Sequence, residues 1–372
     1  MQFIEYVEIE GFRGLSNLRV GGLGRVNLIT GKNNSGKSSF LEAIRLLASG
    51  GALPMLREIL EYREGLSGAE GEGALGRGDL LALSTLFTGC PDLGAQTASF
   101  EISARGNLPQ SIAQLKLSSG WFFRKFDAEQ GSVTVTYEPA SADLFGAEDL
   151  FPGLDLRAGG RKRIVPLERL LRRPTIRAES EMSQVPTVYL DPFSSRSTSQ
   201  LGAMWDAIAL TDAEREIVGA LRVISRDIEA ISMIGSDDRY RRRTAIAKSA
   251  RFANPIPLRT FGDGINRLFG VILSLCNARN GILLIDELEN GLHYSVQYEV
   301  WRTIFRLARV MNVQIFATSH SWDCVQSFQA AAAESEQEGV LLRLTKRGDD
   351  VIPTVFSERE LAIASRDQVE VR

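Results

Sequence analysis

Apolar residues recur along this 372-residue chain in two rhythms, one of every second position and one of every third to fourth. From Phe3 to Arg19 apolar and polar side chains alternate (Ile4, Tyr6, Ile9), which predicts a strand running on into a glycine-rich loop at Gly31. Arg25–Thr30 predicts a short buried strand and Ser38–Leu47 the helix after that loop. The glycine- and alanine-rich stretch from Ala48 to Gly78 predicts loops around a short helix at Leu56–Tyr62. Ala98–Arg105, Gln114–Ser118, Trp121–Asp127 and Ser132–Tyr137, cut by Gly and Pro turns, predict the short antiparallel strands of a small β-subdomain. Pro186–Leu190 is a strand ended by Asp191-Pro192, and Thr211 with Glu214 makes a capping box ahead of Ile217, Val218 and Leu221. Gly281–Ile285 and Asn312–Ala317 are apolar runs of the kind buried on both faces of a sheet. No internal repeat or sustained heptad is present.

Between the strand at Arg25 and its helix, Gly31-Lys32-Asn33-Asn34-Ser35-Gly36-Lys37-Ser38 satisfies the phosphate-binding pattern G-x-x-x-x-G-K-[ST]. The strand–loop–helix order is the context that pattern needs. Gly31 and Gly36 let the backbone curl so that N–H groups from Asn33, Asn34 and Ser35 through Ser39 converge on phosphate oxygens at a helix N-terminus. Lys37 then reaches the β- and γ-phosphates, and the Ser38 hydroxyl ligates Mg²⁺. The loop implies a bound nucleoside triphosphate.

Two further strands carry polar residues at their exits. Ile285 is followed by Asp286 and Glu287, and the carboxyl end of a strand in an α/β sheet is where ligands bind. Asp286 is the candidate for the Mg²⁺ shell, and Glu287 for polarising the water that attacks the γ-phosphate. The run from Asn312 exits through Thr318, Ser319 and His320, where an imidazole can bond the γ-phosphate and the attacking water. The chain has only 2 histidines. The other, His293, sits at a helix start, open to capping or interface packing or to a catalytic-support role. Thr260, Gly262, Asp263 and Gly264 precede the helix Leu268–Cys276; they read either as a Gly-Asp-Gly turn that caps a helix or as a second anion-binding turn.

Composition narrows the class without naming a partner. Hydrophobic content of 44% and charged content of 24% are those of an ordinary soluble protein, and no apolar run is long enough for a membrane span. A net charge of −3 gives no global preference for nucleic acid or an anionic membrane. The 3 cysteines are isolated, which argues against a disulfide framework or a zinc site and for a reducing cytoplasm. One local charge run stands out: Arg157, Arg161, Lys162, Arg163, Arg169, Arg172, Arg173 and Arg177, with Glu168 the only acid among them. It is either a solvated surface or a site (157–177) for a phosphate backbone or acidic partner.

The long separation of Lys37 from Asp286 exceeds that of compact AAA+ or RecA-type modules, and no Asn-Lys-x-Asp guanine motif is present. Gly11-Phe12-Arg13, Gly31–Ser38, Ile285-Asp-Glu-Leu-Glu-Asn-Gly-Leu-His293 and Ala317-Thr-Ser-His-Ser321 together resemble the ABC-type ATPase heads of the RecF/SMC superfamily. Within it the chain is most similar to the AAA-type ATPases related to the OLD (overcoming lysogenization defect) proteins. The resemblance covers 1–48 and roughly 255–325 well. It implies a P-loop α/β fold of the ABC/RecF head type, a mixed sheet with flanking helices plus a small antiparallel β-subdomain and a helical insert. It implies ATP and Mg²⁺ as ligands, a nucleotide-contacting role for Arg13, and a homodimer in which the signature residues Thr260, Gly262, Asp263 and Gly264 complete the partner's site. The domain division expected is 1–95 (phosphate-loop lobe), 96–140 (β-subdomain), 141–250 (helical insert with the basic stretch) and 251–372 (signature, acidic strand and histidine). The insert is too short for SMC-type coiled-coil arms. The residues after His320 are too few for the Toprim nuclease domain of OLD nucleases, and Asp349-Asp350 reads as a hairpin turn. The function implied is an ATPase that controls a separate effector, a nuclease or toxin, in phage defence. The rivals are a RecF-like DNA clamp and a scaffold that binds ATP without turning it over.

Overall fold

The computed structural model describes residues 2–64, 77–93, 96–129, 132–139, 150–171, 185–192, 198–235, 243–335, 338–357 and 360. The chain opens with β1 (Tyr6–Phe12) and β2 (Leu15–Gly21), then β3 (Val26–Thr30), α1 (Lys37–Ala48), α2 (Leu53–Glu64) and α3 (Arg77–Ser84). Next come β4 (Ser99–Arg105), β5 (Gln114–Glu129), β6 (Ser132–Pro139), β7 (Leu150–Ala158), β8 (Arg161–Pro166) and α4 (Leu167–Leu171). β9 (Thr187–Leu190), α5 (Thr198–Asp206), α6 (Asp212–Leu221), β10 (Ile228–Gly235), β11 (Arg243–Ser249) and β12 (Ile256–Pro257) follow. The C-terminal part runs α7 (Asp263–Asn277), β13 (Ile282–Ile285), α8 (Tyr294–Val310), β14 (Gln314–Thr318), α9 (Trp322–Ala332), β15 (Gly339–Arg347) and β16 (Asp350–Phe356).

These strands form a six-stranded sheet, β16-β15-β3-β14-β13-β9, a seven-stranded antiparallel sheet, β2-β1-β4-β5-β7-β8 with β6 beside β5, and a three-stranded sheet, β10-β11-β12. In the six-stranded sheet β3, β9, β13, β14 and β15 are parallel, and only β16 turns back. Every residue of β3, β13 and β14 is buried, which is why these strands read as unbroken apolar runs. Successive side chains divide between two cores. Leu283, Ile285, Ile315 and Ala317 pack on one face with α7, α8 and α9. Ile282, Leu284 and Phe316 pack on the other with α1, α2 and the seven-stranded sheet. Each large apolar side chain so buried contributes about 1.5–3 kcal/mol.

The structure corrects several expectations. The single strand expected over Phe3–Arg19 is the hairpin β1–β2, in a different sheet from β3. The chain reverses at Arg13-Gly14, where Arg13 takes a left-handed φ of 51°; no Pro or Asn-Gly pair announces that turn. The two strands expected at Gln114–Ser118 and Trp121–Asp127 are one, β5, which passes through Gly120 without turning. Gly120 faces Gly153 on β7, and the Phe122 ring lies where a Cβ on Gly153 would stand, so the small residues admit an aromatic cover. The strands of 96–140 belong to a larger sheet with β1, β2, β7 and β8. The 141–250 insert, expected to be helical, holds α4, α5 and α6 and also supplies strands to all three sheets. Thr211 is the N-cap of α6, but its hydroxyl donates to Ile208 O, and Glu214 accepts from Leu210 N; the left-handed Leu210 (φ 64°) brings that N–H within reach. The hairpin at Asp349-Asp350 is present, turning at Gly348. Among the described residues no helix is long and apolar enough to cross a membrane.

Candidate functional site

The phosphate loop links the C-terminal end of β3 to α1. Gly31, Asn34 and Gly36 hold positive φ values of 144°, 62° and 90°, the alternation that turns successive N–H groups inward. A Cβ at Gly31 would stand 2.3 Å from Leu344 O, so the tight passage beside β15 requires glycine. Lys32, Asn33 and Asn34 are exposed, Ser35 and Ser39 are buried, and Gly36, Lys37 and Ser38 are half-buried. No side chain caps α1 at Gly36, which leaves first-turn N–H groups facing the loop. Lys37 Nζ folds back to donate to Gly31 O (2.7 Å) and Lys32 O (3.0 Å). Burial pulls its pKa down, against the opposing pull of Asp286, Glu287 and Glu289. Those acids therefore lie within electrostatic reach of the lysine.

The acids sit on the turn after β13. Asp286 is 6% exposed; its Oδ1 accepts from Thr318 Oγ1 at 2.5 Å and its Oδ2 from Tyr189 OH at 3.4 Å. The Thr318 hydroxyl also accepts the Glu287 N–H at 2.8 Å, so one side chain on β14 orients both acids. Glu287 is left-handed (φ 49°), strain of the kind found where a side chain must point away from the strand direction. Its Oε2 accepts from Asn290 Nδ2 at 2.7 Å. Beneath the turn, Arg267 of α7 donates to Asp191 O, Asp286 O and Glu287 O, all at 2.9 Å. Thr318→Val is expected to lower ATP turnover roughly tenfold by freeing both acids, measured as steady-state phosphate release. An unchanged rate would mean that the turn holds the acids without the hydroxyl.

His320 leaves β14 beside these acids, its Nδ1 3.2 Å from Glu289 Oε1 and 4.0 Å from Glu287 Oε1. Thus Lys37, Asp286, Glu287 and His320 converge. Arg13 instead is buried in an ion pair with Glu42 of α1, 2.7 Å apart. His293 caps α8, its Nδ1 accepting the Ser295 N–H, and stacks against Tyr294. Thr260, Gly262 and Asp263 are exposed, and Gly264 is half-buried against Gly291 O. Asp263 begins α7, where its charge suits the helix N-terminus. In the basic stretch, Arg157 and Lys162 both pair with Asp155, while Arg172, Arg173 and Arg177 lie outside the described residues.

Tyr189, Arg267 and Glu289 were not singled out from the sequence. Each acts through a partner distant in the chain; Tyr189 and Arg267 are signalled only as polar residues within apolar segments, and Glu289 only as a further acid beside Asp286 and Glu287. The site fits Mg²⁺: Ser38 and Asp286 offer oxygen donors, and the two hydroxyls on Asp286 hold its carboxylate as an acceptor. Among the described residues no group of 3 or more His, Cys, Asp or Glu could hold a metal ion.

A model of the AAA ATPase domain matches residues 3–61 and 213–325, the segments that hold the phosphate loop, the Gly-Asp-Gly turn, both acids and His320. An ATP/GTP phosphatase of Helicobacter pylori is 21% identical over 379 residues, covering 95% of each chain. An uncharacterised protein of Methanocaldococcus jannaschii is 45% identical over 65 residues, 16% of this chain and 30% of that one. The crystal structure of an SMC head bound to the C-winged helix domain of ScpA matches with a TM-score of 0.52 at 14% identity, over 96% of this chain and 98% of that one. The chain is a P-loop ATPase with an SMC-head-like fold.

Proposed function

We propose that the chain binds ATP with Mg²⁺, closes as a homodimer around two nucleotides and, on hydrolysis, changes its hold on a separate effector protein. Lys37 binds the β- and γ-phosphates. Ser38 and Asp286 hold the metal, which when bound neutralises charge on the phosphate oxygens. Glu287 takes a proton from the attacking water, and His320 contacts that water and the γ-phosphate. The observation that carries this reading is the Gly262-Asp263-Gly264 turn, exposed at Gly262 and Asp263 and joined through Arg267 of the helix it opens to the backbone of the acid turn. A phosphate arriving from a second copy would press on that turn and be felt at Asp286 and Glu287.

Control of an effector nuclease or toxin in phage defence is the setting that the OLD-like resemblance supports, and the solved SMC head with ScpA is a relative in fold that carries a protein partner. The DNA-clamp alternative would draw on the basic stretch, where Arg157 and Lys162 share the one carboxylate of Asp155 and stay half exposed, against a chain net charge of −3.

Subunit mixing tests the composite site. Lys37→Ala disables its own nucleotide site, and Gly262→Val, at φ 109°, disables the turn offered to the partner. Each should be inactive alone, and their mixture should recover roughly a quarter of parental ATPase activity, one intact site in half of the dimers. A mixture as inactive as its components would overturn the trans arrangement.

A further inference from the structure

Glu289 is a carboxylate with no part in the reading above, yet it is almost fully buried beside the ring that reading uses. Its side chain is 8% exposed and that of His320 51%, so the carboxylate is the fixed partner. Oε1 accepts the His320 backbone N–H at 2.8 Å and lies 3.2 Å from His320 Nδ1. Oε2 is buried with no hydrogen-bond partner among the described residues, so Oε1 makes both contacts to His320.

We propose that Glu289 is a positioning residue for turnover, fixing His320 in the tautomer that carries its proton on Nδ1 and offers Nε2 to the substrate. The inference rests on His320 facing the γ-phosphate and the attacking water. An ionised carboxylate only accepts, so Nδ1 must donate to it; the opposite tautomer would set two lone pairs against each other at 3.2 Å. Glu287 Oε1, 4.0 Å from the same nitrogen, adds a second negative group on that side. With Nδ1 committed, the neutral ring presents a bare Nε2, which can accept a hydrogen bond from water. Once protonated there, it can donate to a phosphate oxygen.

Long-range ¹H–¹⁵N correlation spectra of the full chain labelled at histidine test this directly, because the chain has 2 histidines. His293 accepts the Ser295 N–H at Nδ1 and should show the opposite tautomer, an internal contrast. The parental His320 should show a protonated Nδ1 and an unprotonated Nε2. Glu289→Ala should move the proton to Nε2 and lower kcat about tenfold while KM for ATP changes less than about twofold. Glu289→Gln, whose amide oxygen can accept both N–H groups, should restore the parental tautomer and most of kcat. A parental His320 already protonated on Nε2 overturns the proposal without any variant, as does a Glu289→Ala spectrum unchanged from the parent. A shifted tautomer with parental kcat overturns the role of His320 in turnover instead, leaving its contact with Glu289 intact.

Discussion

Glu287→Gln is expected to bind ATP as tightly as the parent and to hydrolyse it about 10²–10⁴-fold more slowly, the range that a positioned general base contributes. The substitution preserves shape. The Glu287 N–H stays on Thr318 Oγ1, and the Asn290 amide that now donates to Oε2 can donate equally to an amide oxygen. What is lost is the ability to take a proton and one negative charge near the γ-phosphate. The lost charge should favour ATP if it changes affinity at all, since Lys37 is already opposed by three acids in the free protein. Steady-state phosphate release measures the first effect, titration with a fluorescent ATP analogue the second, and sedimentation with ATP should show the accumulated dimer. A variant that turns over at the parental rate would remove Glu287 as the base. Lys37→Ala offers the contrast: it should lose nucleotide affinity, because Lys37 is the cation at the start of α1 that this reading places on the β- and γ-phosphates.

The local features of this molecule were legible because each is written in a short stretch of chain. Gly31 to Ser38 lies between a strand and a helix, as its pattern requires, and the apolar runs before Asp286 and before Thr318 are neighbouring parallel strands buried on both faces. The errors arise where the deciding interaction is remote. Nothing near Arg13 tells a long alternating strand from two that reverse, since the choice is made by pairing of β1 with both β2 and β4. Gly120 reads locally as a break, but it faces another glycine under a phenylalanine ring. The insert's strands go to three sheets: β7 and β8 extend the seven-stranded one, β9 edges the six-stranded one, and β10 and β11 pair with each other in the smallest, partnerships that no local pattern announces. The same holds in the site. Tyr189, on a strand distant in sequence, meets Asp286 only because β9 runs parallel to β13. Glu289 was visible within the acidic motif, but its partner is the histidine at the end of β14.

Arg267 ties its helix to two other stretches of chain at once, and removing it should have the largest effect on stability. It is 2% exposed, and three backbone carbonyls converge on its guanidinium, one after β9 and two on the acid turn after β13. Burial lowers its pKa, while Asp191, Glu289, Asp286 and Glu287 oppose the shift, so the cation is held by the acids it underlies. In Arg267→Met the aliphatic stem is replaced but all donors are lost, leaving buried carbonyls unpaired and the acids without their counter-charge. The expected loss is on the order of 3 kcal/mol, read as a lower urea midpoint with an unchanged m-value. Lysine should recover little, because one ammonium cannot reach carbonyls arranged around a planar fork. Stability alone would not distinguish a strut from a coupling element. The second measurement is therefore turnover in conditions where the variant is fully folded. If Arg267 holds Glu287 in its left-handed conformation, kcat should fall at least tenfold while ATP binding at the separately built phosphate loop persists. If kcat is parental in the folded variant, the β13–β14 pairing alone fixes the acids, and the link from the Gly-Asp-Gly turn to the acid turn must run by another route.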